Sequence, residues 1–378
     1  MADFKSTLFQ QLIKDFAVNQ VKPLAQEVDE LERFPIETAE KMAQAGLFGI
    51  IVPKQYGGAG GDYYMYISAV EEFSKHCATT GVILSAHTSL CVAPILEYGT
   101  EEQKQKYLPD LASGRKIGAF GLTEPNAGTD ASNQQTVAVE KDDHYLLNGS
   151  KIFITNAGYA STYIIIAVTG STPKGPEMSA FIVEKAFEGF SVGKKEKKMG
   201  IRGSSTCELI FENVKVPKAN LLGKRGEGFK IAMKTLDGGR IGIAAQALGI
   251  AEGALDATVQ YVKTRKQFGR PISAFQNTQF VLADLATKTE AARLLVYAAV
   301  EAKQNKLPTL SVKAAQAKLF SAETAMEVTT KAVQLHGGYG YTREYSVERM
   351  MRDAKITEIY EGTSEVQRMV ISGALLKK

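Results

Sequence analysis

Apolar side chains change their spacing twice along the 378-residue chain, which divides it into three stretches. Over residues 1–115 they recur at helical intervals, as at Leu8, Leu12 and Ile13, and this predicts an N-terminal helical domain. The glycine cluster at 57–61 lacks the preceding strand and following helix of a dinucleotide-binding loop. We therefore expect a plain loop there.

The middle stretch, residues 116–224, consists of short segments rich in β-branched and aromatic residues. Asn148 and Gly149 stand between two of these segments and predict a tight hairpin turn. No long helices separate the segments, so an antiparallel barrel or sandwich is favoured over a parallel sheet. The predicted strands are 137–139, 145–147, 152–155, 163–168, 180–183 and 208–211.

Helical spacing returns in the last stretch, residues 225–378. Two long alanine-rich segments, 277–303 and 311–335, predict closely packed helices of a bundle. The chain is therefore predicted to be an α+β protein with three domains: helical over 1–115, β over 116–224 and a helical bundle over 225–378.

Composition and charge exclude several classes of protein. Apolar residues make up 44% and charged residues 23% of the chain, which is ordinary for a globular protein. A net charge of +4 without a large basic patch argues against a nucleic-acid partner. The basic run at 194–198 is expected to lie on a solvated loop.

Targeting and metal signals are weak. The start, residues 1–5, lacks the apolar segment of a secretory signal, and the apolar run 163–168 is too short to span a bilayer, so no membrane insertion is expected. Three scattered cysteines fit a reducing cytoplasm, and four histidines without ligand spacing predict no metal site.

The segment 359–364 carries the sharpest chemical signal. Glu361 stands after two apolar residues, a setting that raises the pKa of a carboxylate and allows it to act as a base near neutral pH. Gly362 permits close approach of a ligand, while Thr363 and Ser364 can begin a helix that continues to Leu375. The competing interpretation is a capped helix with a surface glutamate.

Six stretches of sequence together resemble the acyl-CoA dehydrogenases, over essentially the whole chain. They follow one another in the family's order and spacing, and they are most similar to bacterial short-chain, butyryl-CoA-type members. The resemblance implies a C-terminal four-helix bundle, a homotetramer and non-covalently bound FAD. The stretches are GLTEPNAGTD at 121–130, KIFITN at 151–156, RKQFG at 265–269, QLHGGYG at 334–340, MRDAKI at 351–356 and YEGT at 360–363.

The resemblance also implies which residues contact the cofactor. Without it, a polar loop and a core aromatic would explain several of them equally well, and a helix end would explain Arg265 and the glycines after His336. Relatives often carry Trp where this chain has Phe153, and the chain has no Trp. Against the flavin they are Phe120, Leu122, Thr123, Thr129, Phe153, Ile154 and Thr155, and Thr363 and Glu365 also bind the cofactor. Arg265, Gln267 and Phe268, assisted by Gln276, are implied to reach the pyrophosphate and adenosine of a neighbouring subunit's FAD, and Gln334, Gly337 and Gly338 are implied to give close backbone approach to the FAD on the other side.

Substrate residues follow from the same likeness. Asp237 to Arg240 is expected to open a helix, with Asp237 a plausible cap. Some relatives place their base beside this Arg, but this chain has Gly239 there, which assigns the base to Glu361. Gln246 and Thr357 resemble positions that narrow the pocket floor, which implies an acyl group of about four carbons. The substrate set is Thr129, Asp237, Arg240, Gln246, Thr357, Tyr360 and Gly362.

The implied reaction is α,β-dehydrogenation of an acyl-CoA thioester to the trans-2-enoyl-CoA, with Glu361 taking the α-proton and electrons passing to an electron-transferring flavoprotein. One alternative is a 2-enoyl-CoA reductase, acting on crotonyl-CoA or an aryl-enoyl-CoA of the caffeyl type, in an electron-bifurcating complex. An alternative of a different class is a helical scaffold or binding protein that lacks the cofactor.

Overall fold

The computed structural model describes residues 4–173 and 175–376. The expectation about a secretory signal concerned residues 1–5, and the first three of these lie outside the described part. The N-terminal stretch is helical, as predicted, and the glycines at 57–61 lie in the turn before its fourth helix. The helices are α1 Phe4–Phe16, α2 Ala25–Glu30, α3 Ile36–Gln44, α4 Tyr63–His76, α5 Ala78–Ser85, α6 Ala93–Tyr98 and α7 Glu101–Ala112.

Helices α5 and α6 are joined by a π-helical turn, Ala86–Val92, into one segment of 21 residues, Ala78–Tyr98. By length and composition this segment could cross a membrane, but 94% of its most apolar window is buried inside the protein. Its side chains join three apolar clusters that also contain residues of α4, of the strands and of the long C-terminal helices. The segment is therefore accounted for as a core helix.

Eight strands in the middle stretch form one sheet. Its order is β6-β7-β3-β2-β4-β5-β8, with β1 also beside β4. The neighbours are antiparallel except that β4 pairs with β1 and β2 in parallel, so the sheet is mainly antiparallel, as predicted, with two parallel pairings that the sequence did not indicate. The chain leaves β1, forms β2 and β3, and returns as β4 in the direction of β1. The strands are β1 Ile117–Gly121, β2 Val137–Glu140, β3 His144–Ile154, β4 Ala160–Thr172, β5 Gly175–Glu184, β6 Phe190–Lys195, β7 Cys207–Pro217 and β8 Leu221–Leu222.

Asn148 and Gly149 do not form the predicted hairpin turn, because β3 runs straight through them. Gly149 has φ of 138°, and a Cβ there would lie 2.7 Å from Thr136 Cα. The Asn148 side chain accepts a 2.9 Å hydrogen bond from the backbone N–H of Asn213 in β7. The β3–β7 register shifts between Leu147 and Gly149. Gly149 is therefore explained by the close approach of neighbouring backbone at this irregularity, which is a known role of glycine within strands, and not by a turn.

The basic run at 194–198 is only partly solvated. Lys194 and Lys195 belong to β6, and Lys198 Nζ donates a 2.8 Å hydrogen bond to the carbonyl of Ser204. Burial lowers the pKa of Lys198 to about 8. The loop that follows β6 folds back on this lysine, so the expectation of a wholly solvated run was wrong.

The C-terminal stretch is a helical bundle in which α10 packs on α8, α9, α11 and α12. Both long helices predicted from the sequence are present, each extended by one residue at both ends. Buried alanines such as Ala292, Ala314 and Ala325 allow this close packing. The elements are α8 Gly228–Thr264, β9 Lys266–Gln267, β10 Arg270–Pro271, α9 Gln276–Gln304, α10 Leu310–His336, α11 Val347–Ile356 and α12 Ser364–Leu375.

Candidate active site

A cavity of about 180 Å³ lies where all three stretches meet. Its wall is formed by the π-helical turn, the loop after β1, the end of β3, α8 and the turn before α12. Many of the predicted site residues, far apart in sequence, lie in this wall. They are Phe120, Leu122, Thr123, Thr129, Phe153, Ile154, Thr155, Arg240, Tyr360, Glu361 and Gly362.

The turn that carries Glu361 has an unusual backbone. Glu361 has φ of 54° and Gly362 has φ of 92°, both in the left-handed region. Such a conformation costs a non-glycine residue about 1–3 kcal/mol and persists only where neighbours enforce it. Gln367 enforces it from α12, because its Nε2 donates to the carbonyls of Gly362 at 2.8 Å and Glu361 at 3.3 Å.

The Glu361 carboxylate is sealed from solvent at Oε2, which has no hydrogen-bond partner in the described chain. Burial raises the pKa of Glu361 to about 8, and the positive charges of Lys318 and Arg240 oppose that rise. A carboxylate with this pKa binds a proton strongly and still ionises near neutral pH. These are the properties of a general base.

Gly239 in α8 supplies the surface on which this carboxylate rests. A Cβ at position 239 would lie 2.8 Å from the carboxyl carbon of Glu361 and 2.9 Å from Leu90 Cδ2. A side chain at 239 and the observed Glu361 carboxylate therefore exclude each other. This geometry supports the placement of the base at 361.

Asp237 does not cap a helix, contrary to the expectation, because α8 begins earlier, at Gly228. Two adjacent glycines remain helical here since α8 is held on both sides by packed helices. The buried Asp237 carboxylate accepts hydrogen bonds from Arg240 Nη1 at 2.9 Å and from Ser311 Oγ at 2.6 Å. Asp237 thus orients Arg240, whose Nε has no partner in the described chain.

Phe153 stands at the edge of the cavity and is 60% exposed. Strand alternation would turn Ile154 away from the face that Phe153 and Thr155 share. The β3–β7 register shifts between Lys151 and Ile154, however, and Phe153 has φ of 58°. This bulge allows three consecutive residues, 153–155, to reach the cavity.

A buried lysine holds the loop after β1 through hydrogen bonds. Lys151 Nζ, on β3, donates to Glu124 Oε1 at 2.6 Å, to Gln134 Oε1 at 2.7 Å and to the carbonyl of Leu122 at 3.2 Å. Burial lowers the pKa of Lys151 to about 8, although Glu124 opposes the shift. The ends of the loop that holds Thr123 and Thr129 are therefore fixed relative to β3.

A second group of predicted residues lies apart from this cavity, in a groove of about 560 Å³ at the ends of α8 and α10. The Arg265 guanidinium lies 5.3 Å from the centre of the Tyr339 ring. Gly337 has φ of 62°, and Cβ atoms at Gly337 or Gly338 would meet nothing within 4 Å. The predicted residues in this groove are Arg265, Gln267, Gln334, Gly337 and Gly338.

The other predicted residues line neither space. Gln246 lies behind Tyr360, whose hydroxyl donates to Gln246 Oε1, while Gln246 Nε2 donates to the carbonyl of Ala78 at 2.9 Å. Thr357 is buried and donates to the carbonyl of Ala354 at 2.7 Å. Thr363 Oγ1 caps α12 by accepting from Val366 N at 3.3 Å. Glu365 is exposed in α12, Phe268 is 93% exposed in the β9–β10 turn, and Gln276 begins α9.

Sequence reasoning missed several residues of the wall and one beneath it. Ala86 and Leu90 lie four residues apart in the π-helical turn, and Met233 and Leu236 lie on α8. Lys318, which contacts the turn that carries Glu361, was also missed. The sequence signal that could have found it is a lysine among the alanines of α10. A charge on such a stripe is rare unless it has a partner.

A crevice of about 480 Å³ between α1, α4, α8 and α9 is larger than the cavity, but its buried carboxylates are paired. Arg293 Nη1 lies 2.5 Å from Glu71 Oε1, and the same guanidinium contacts Glu252. Tyr297 donates to Glu71 Oε2 at 2.6 Å. None of the described residues that line the crevice has a polar side-chain atom that is both sealed from solvent and without a hydrogen-bond partner, so the smaller cavity, which contains Glu361, is the candidate site.

Three domain models of one family together match most of the chain. The N-terminal, middle and C-terminal domain models of acyl-CoA dehydrogenase match residues 5–115, 119–214 and 226–376. A short-chain specific acyl-CoA dehydrogenase of Clostridium acetobutylicum is 64% identical over 98% of this chain and 97% of its own length. A subunit of a caffeyl-CoA reductase–Etf complex of Acetobacterium woodii is 49% identical over 99% of each chain.

Solved structures agree. Butyryl-CoA dehydrogenase of Megasphaera elsdenii superimposes with a TM-score of 0.95, at 54% identity and 98% coverage of both chains. An acyl-CoA dehydrogenase of Bacillus anthracis, complexed with FAD, gives a TM-score of 0.93 at 37% identity, covering 99% of this chain and 68% of that one. The chain therefore belongs to the acyl-CoA dehydrogenase family.

Proposed function

We propose that this chain is an FAD-dependent dehydrogenase of short-chain acyl-CoA thioesters, with Glu361 as the base that removes the α-proton. The observation that carries the proposal is the sealed, unpartnered Glu361 Oε2 in the wall of the cavity, with a pKa raised to about 8. A base of this strength matches proton removal next to a carbonyl group near neutral pH.

The residues present fit FAD. Phe153 offers an exposed aromatic face beside the hydroxyl-bearing side chains of Thr123 and Thr155, and a Cβ at Gly128 would meet nothing within 4 Å. Phe120 to Thr129 and Phe153 to Thr155 would hold the flavin. FAD, when bound, supplies the hydride acceptor.

The chain's own groups perform the proton chemistry. Glu361 receives the α-proton on its carboxylate, while Arg240, fixed by Asp237, faces the same cavity with a positive charge. The backbone N–H of Glu361 has no backbone acceptor in the described chain and is therefore available to donate to a thioester oxygen. A donor aimed at developing negative charge contributes several kcal/mol to transition-state stabilisation.

Glu361→Gln tests the proposal. We expect the variant to fold and remain yellow with FAD, but to lose turnover by about 10²–10⁴-fold, the usual contribution of a general base. Wild-type protein should bleach when given butyryl-CoA anaerobically. Glu323→Gln, which removes one partner of an exposed ion pair with Arg368, is the matched control. Near-wild-type turnover of Glu361→Gln would refute the assignment, and a colourless protein would favour the scaffold alternative.

Substrate length is proposed from Tyr360, which is fixed against Gln246 and so forms a firm part of the cavity wall. With Thr357 behind it, we propose an acyl group of about four carbons. Comparison of kcat/KM for butyryl-CoA and octanoyl-CoA checks this, and a clear preference for octanoyl-CoA would contradict it.

A second candidate function is the reverse reaction, reduction of a 2-enoyl-CoA with an electron-transferring flavoprotein as partner. The caffeyl-CoA reductase–Etf subunit at 49% identity favours it. The test is NADH-driven reduction of crotonyl-CoA and caffeyl-CoA in the presence of the purified partner flavoprotein. Oxidation of butyryl-CoA without any such reductive activity would exclude this candidate.

A complete cofactor site is proposed to need more than one copy of the chain, in a homotetramer located in the cytoplasm. The cavity and the groove around Arg265 are separate on a single copy, and each contains predicted cofactor residues. Inactive Glu361→Gln and Arg265→Ala chains, refolded together, should regain activity if subunits share sites. Light scattering gives the assembly mass, and a fully active monomer would refute the shared site.

The proposed cytoplasmic location is supported by three buried free cysteines, which fit a reducing compartment.

A further inference from the structure

Lys318 is a buried lysine that contacts the turn formed by Glu361 and Gly362. It lies on α10 with 0% of its surface exposed, and its Nζ donates a 2.7 Å hydrogen bond to the carbonyl of Gly362. A fully buried ammonium group is costly unless nearby groups compensate for its charge. In the described part of the chain, its hydrogen-bond acceptor is this carbonyl and not a carboxylate.

The charges around the turn come from several elements. Glu361 faces Lys318 from α10, Arg240 from α8 and Tyr66 from α4, in addition to its neighbour Tyr360. Lys318 in turn faces Glu361, Arg240, Glu358 and Glu365, and Glu361 exerts the largest influence of these on it. The main compensating charge for the buried ammonium is therefore the base itself.

Hydrogen bonding alone does not explain a lysine at this position. Gln367 Nε2 already donates to the same Gly362 carbonyl at 2.8 Å. A neutral amide could supply a second donor without burying a charge. What lysine adds is a positive charge held at the turn that carries Glu361, where it opposes the effect of burial on that carboxylate.

We propose that Lys318 is a positioning residue for the base: its ammonium group holds the left-handed Glu361–Gly362 turn and favours the ionised carboxylate of Glu361. This inference deepens the proposed function and rests on Glu361 being the base. In agreement with it, burial lowers the pKa of Lys318 to about 8 while Glu361 opposes that shift, so the two groups influence each other's protonation.

Lys318→Gln and Lys318→Met separate the two parts of the role. Gln can keep a donor to Gly362 and loses the charge, whereas Met loses both. Lys331→Met, an exposed position on the same helix, is the control. The Glu361 carboxyl is titrated by difference infrared spectroscopy, with Glu361→Gln identifying its band. We expect the midpoint to rise by roughly one pH unit in both Lys318 variants and to stay unchanged in the control.

Turnover provides the second measurement. The acidic limb of kcat/KM against pH should move upward with the infrared midpoint in Lys318→Gln, while Lys318→Met should also lose kcat at its optimum. Unchanged midpoints in both variants would overturn the inference and reduce Lys318 to a packing residue. If neither variant folds, ¹⁵N NMR of the lysine ammonium groups decides. The pKa of Lys318 should fall in Glu361→Gln, and an unchanged value would overturn the inference.

The infrared and NMR titrations need no turnover, so they separate this inference from the proposed function. If Glu361→Gln retained full activity, the proposed base would be wrong. A shifted Glu361 midpoint in Lys318→Gln would then still report the coupling of the two charges.

Discussion

Lys151 and Glu124 form an ion pair that is almost entirely removed from water, with side chains 0% and 4% exposed and 2.6 Å between Nζ and Oε1. Burial raises the pKa of Glu124, but Lys151 and the backbone N–H of Gln135 more than offset this and leave it lowered. The pair joins β3 to the loop that carries the hydroxyls of Thr123 and Thr129. One ion pair therefore fixes the geometry of two segments of the candidate site.

Lys151→Met should destabilise the protein strongly, because it leaves the buried Glu124 carboxylate without its counter-charge. We expect a loss of about 3–5 kcal/mol in the free energy of unfolding, together with weaker FAD retention. Denaturant unfolding and absorbance of the bound flavin measure the two effects. Lys218→Met, which breaks an exposed pair with Glu140 in the same domain, should cost less than about 1 kcal/mol. Equal losses in the two variants would contradict the buried role.

Gly239→Ala should impair catalysis while the protein still folds. The added Cβ would collide with the Glu361 carboxyl group and displace it, and a displacement of about 1 Å can cost on the order of 10²-fold in rate. Gly238→Ala is a closely matched control, because its Cβ would meet only Lys303 Cε at 4.0 Å. That variant should keep its activity and gain roughly 0.5–1 kcal/mol in stability. Steady-state kinetics distinguish the pair, and equal kcat values would refute the packing of Glu361 on Gly239.

Glu361→Gln should become more stable than the wild type as pH rises. The folded-state pKa of Glu361 is raised from 4.5 to about 8, so between these values the unfolded chain releases a proton that the folded chain retains. Wild-type stability therefore falls by up to about 1.4 kcal/mol per pH unit over that range, and Gln removes this term. Unfolding at pH 4.5, 6.5 and 8 should show a growing difference. A constant difference would mean that the carboxyl is not desolvated.

Thr363→Ala should loosen the start of α12. Its hydroxyl oxygen caps the helix through Val366 N, and removal of such a cap costs about 0.5–2 kcal/mol. Thr363→Ser retains the oxygen and should restore most of the stability. Hydrogen exchange of the first turn of α12 measures the effect, and identical exchange in the Ala and Ser variants would argue against the cap.

Local patterns predicted the helices better than the site. Helix α9 was predicted over 277–303 and extends one residue further at each end, because long stretches of helical spacing leave little choice. Asn148 and Gly149 were misread because a glycine needed for close strand approach has the same local sequence as a turn. Asp237 was misread because tertiary packing keeps the glycines after it helical.

The chemistry of Glu361 was predictable from its apolar neighbours, but its surroundings were not. The contact with Gly239 joins two distant parts of the chain, and so does the hydrogen bond from Lys318 to Gly362. Neither contact leaves a local pattern, because each depends on how α8, α10 and the turn before α12 pack together. The family resemblance proposed candidate site residues without indicating how each is held.

The exposed rings of Phe153 and Phe268, 60% and 93% accessible on a single copy, make the protein's colloidal behaviour depend on what covers them. If the cofactor covers one ring and a second chain covers the other, binding of each stabilises the folded protein. Removal of either then exposes apolar surface to solvent. Removal of the flavin should therefore promote aggregation well below the temperature at which the helices unfold.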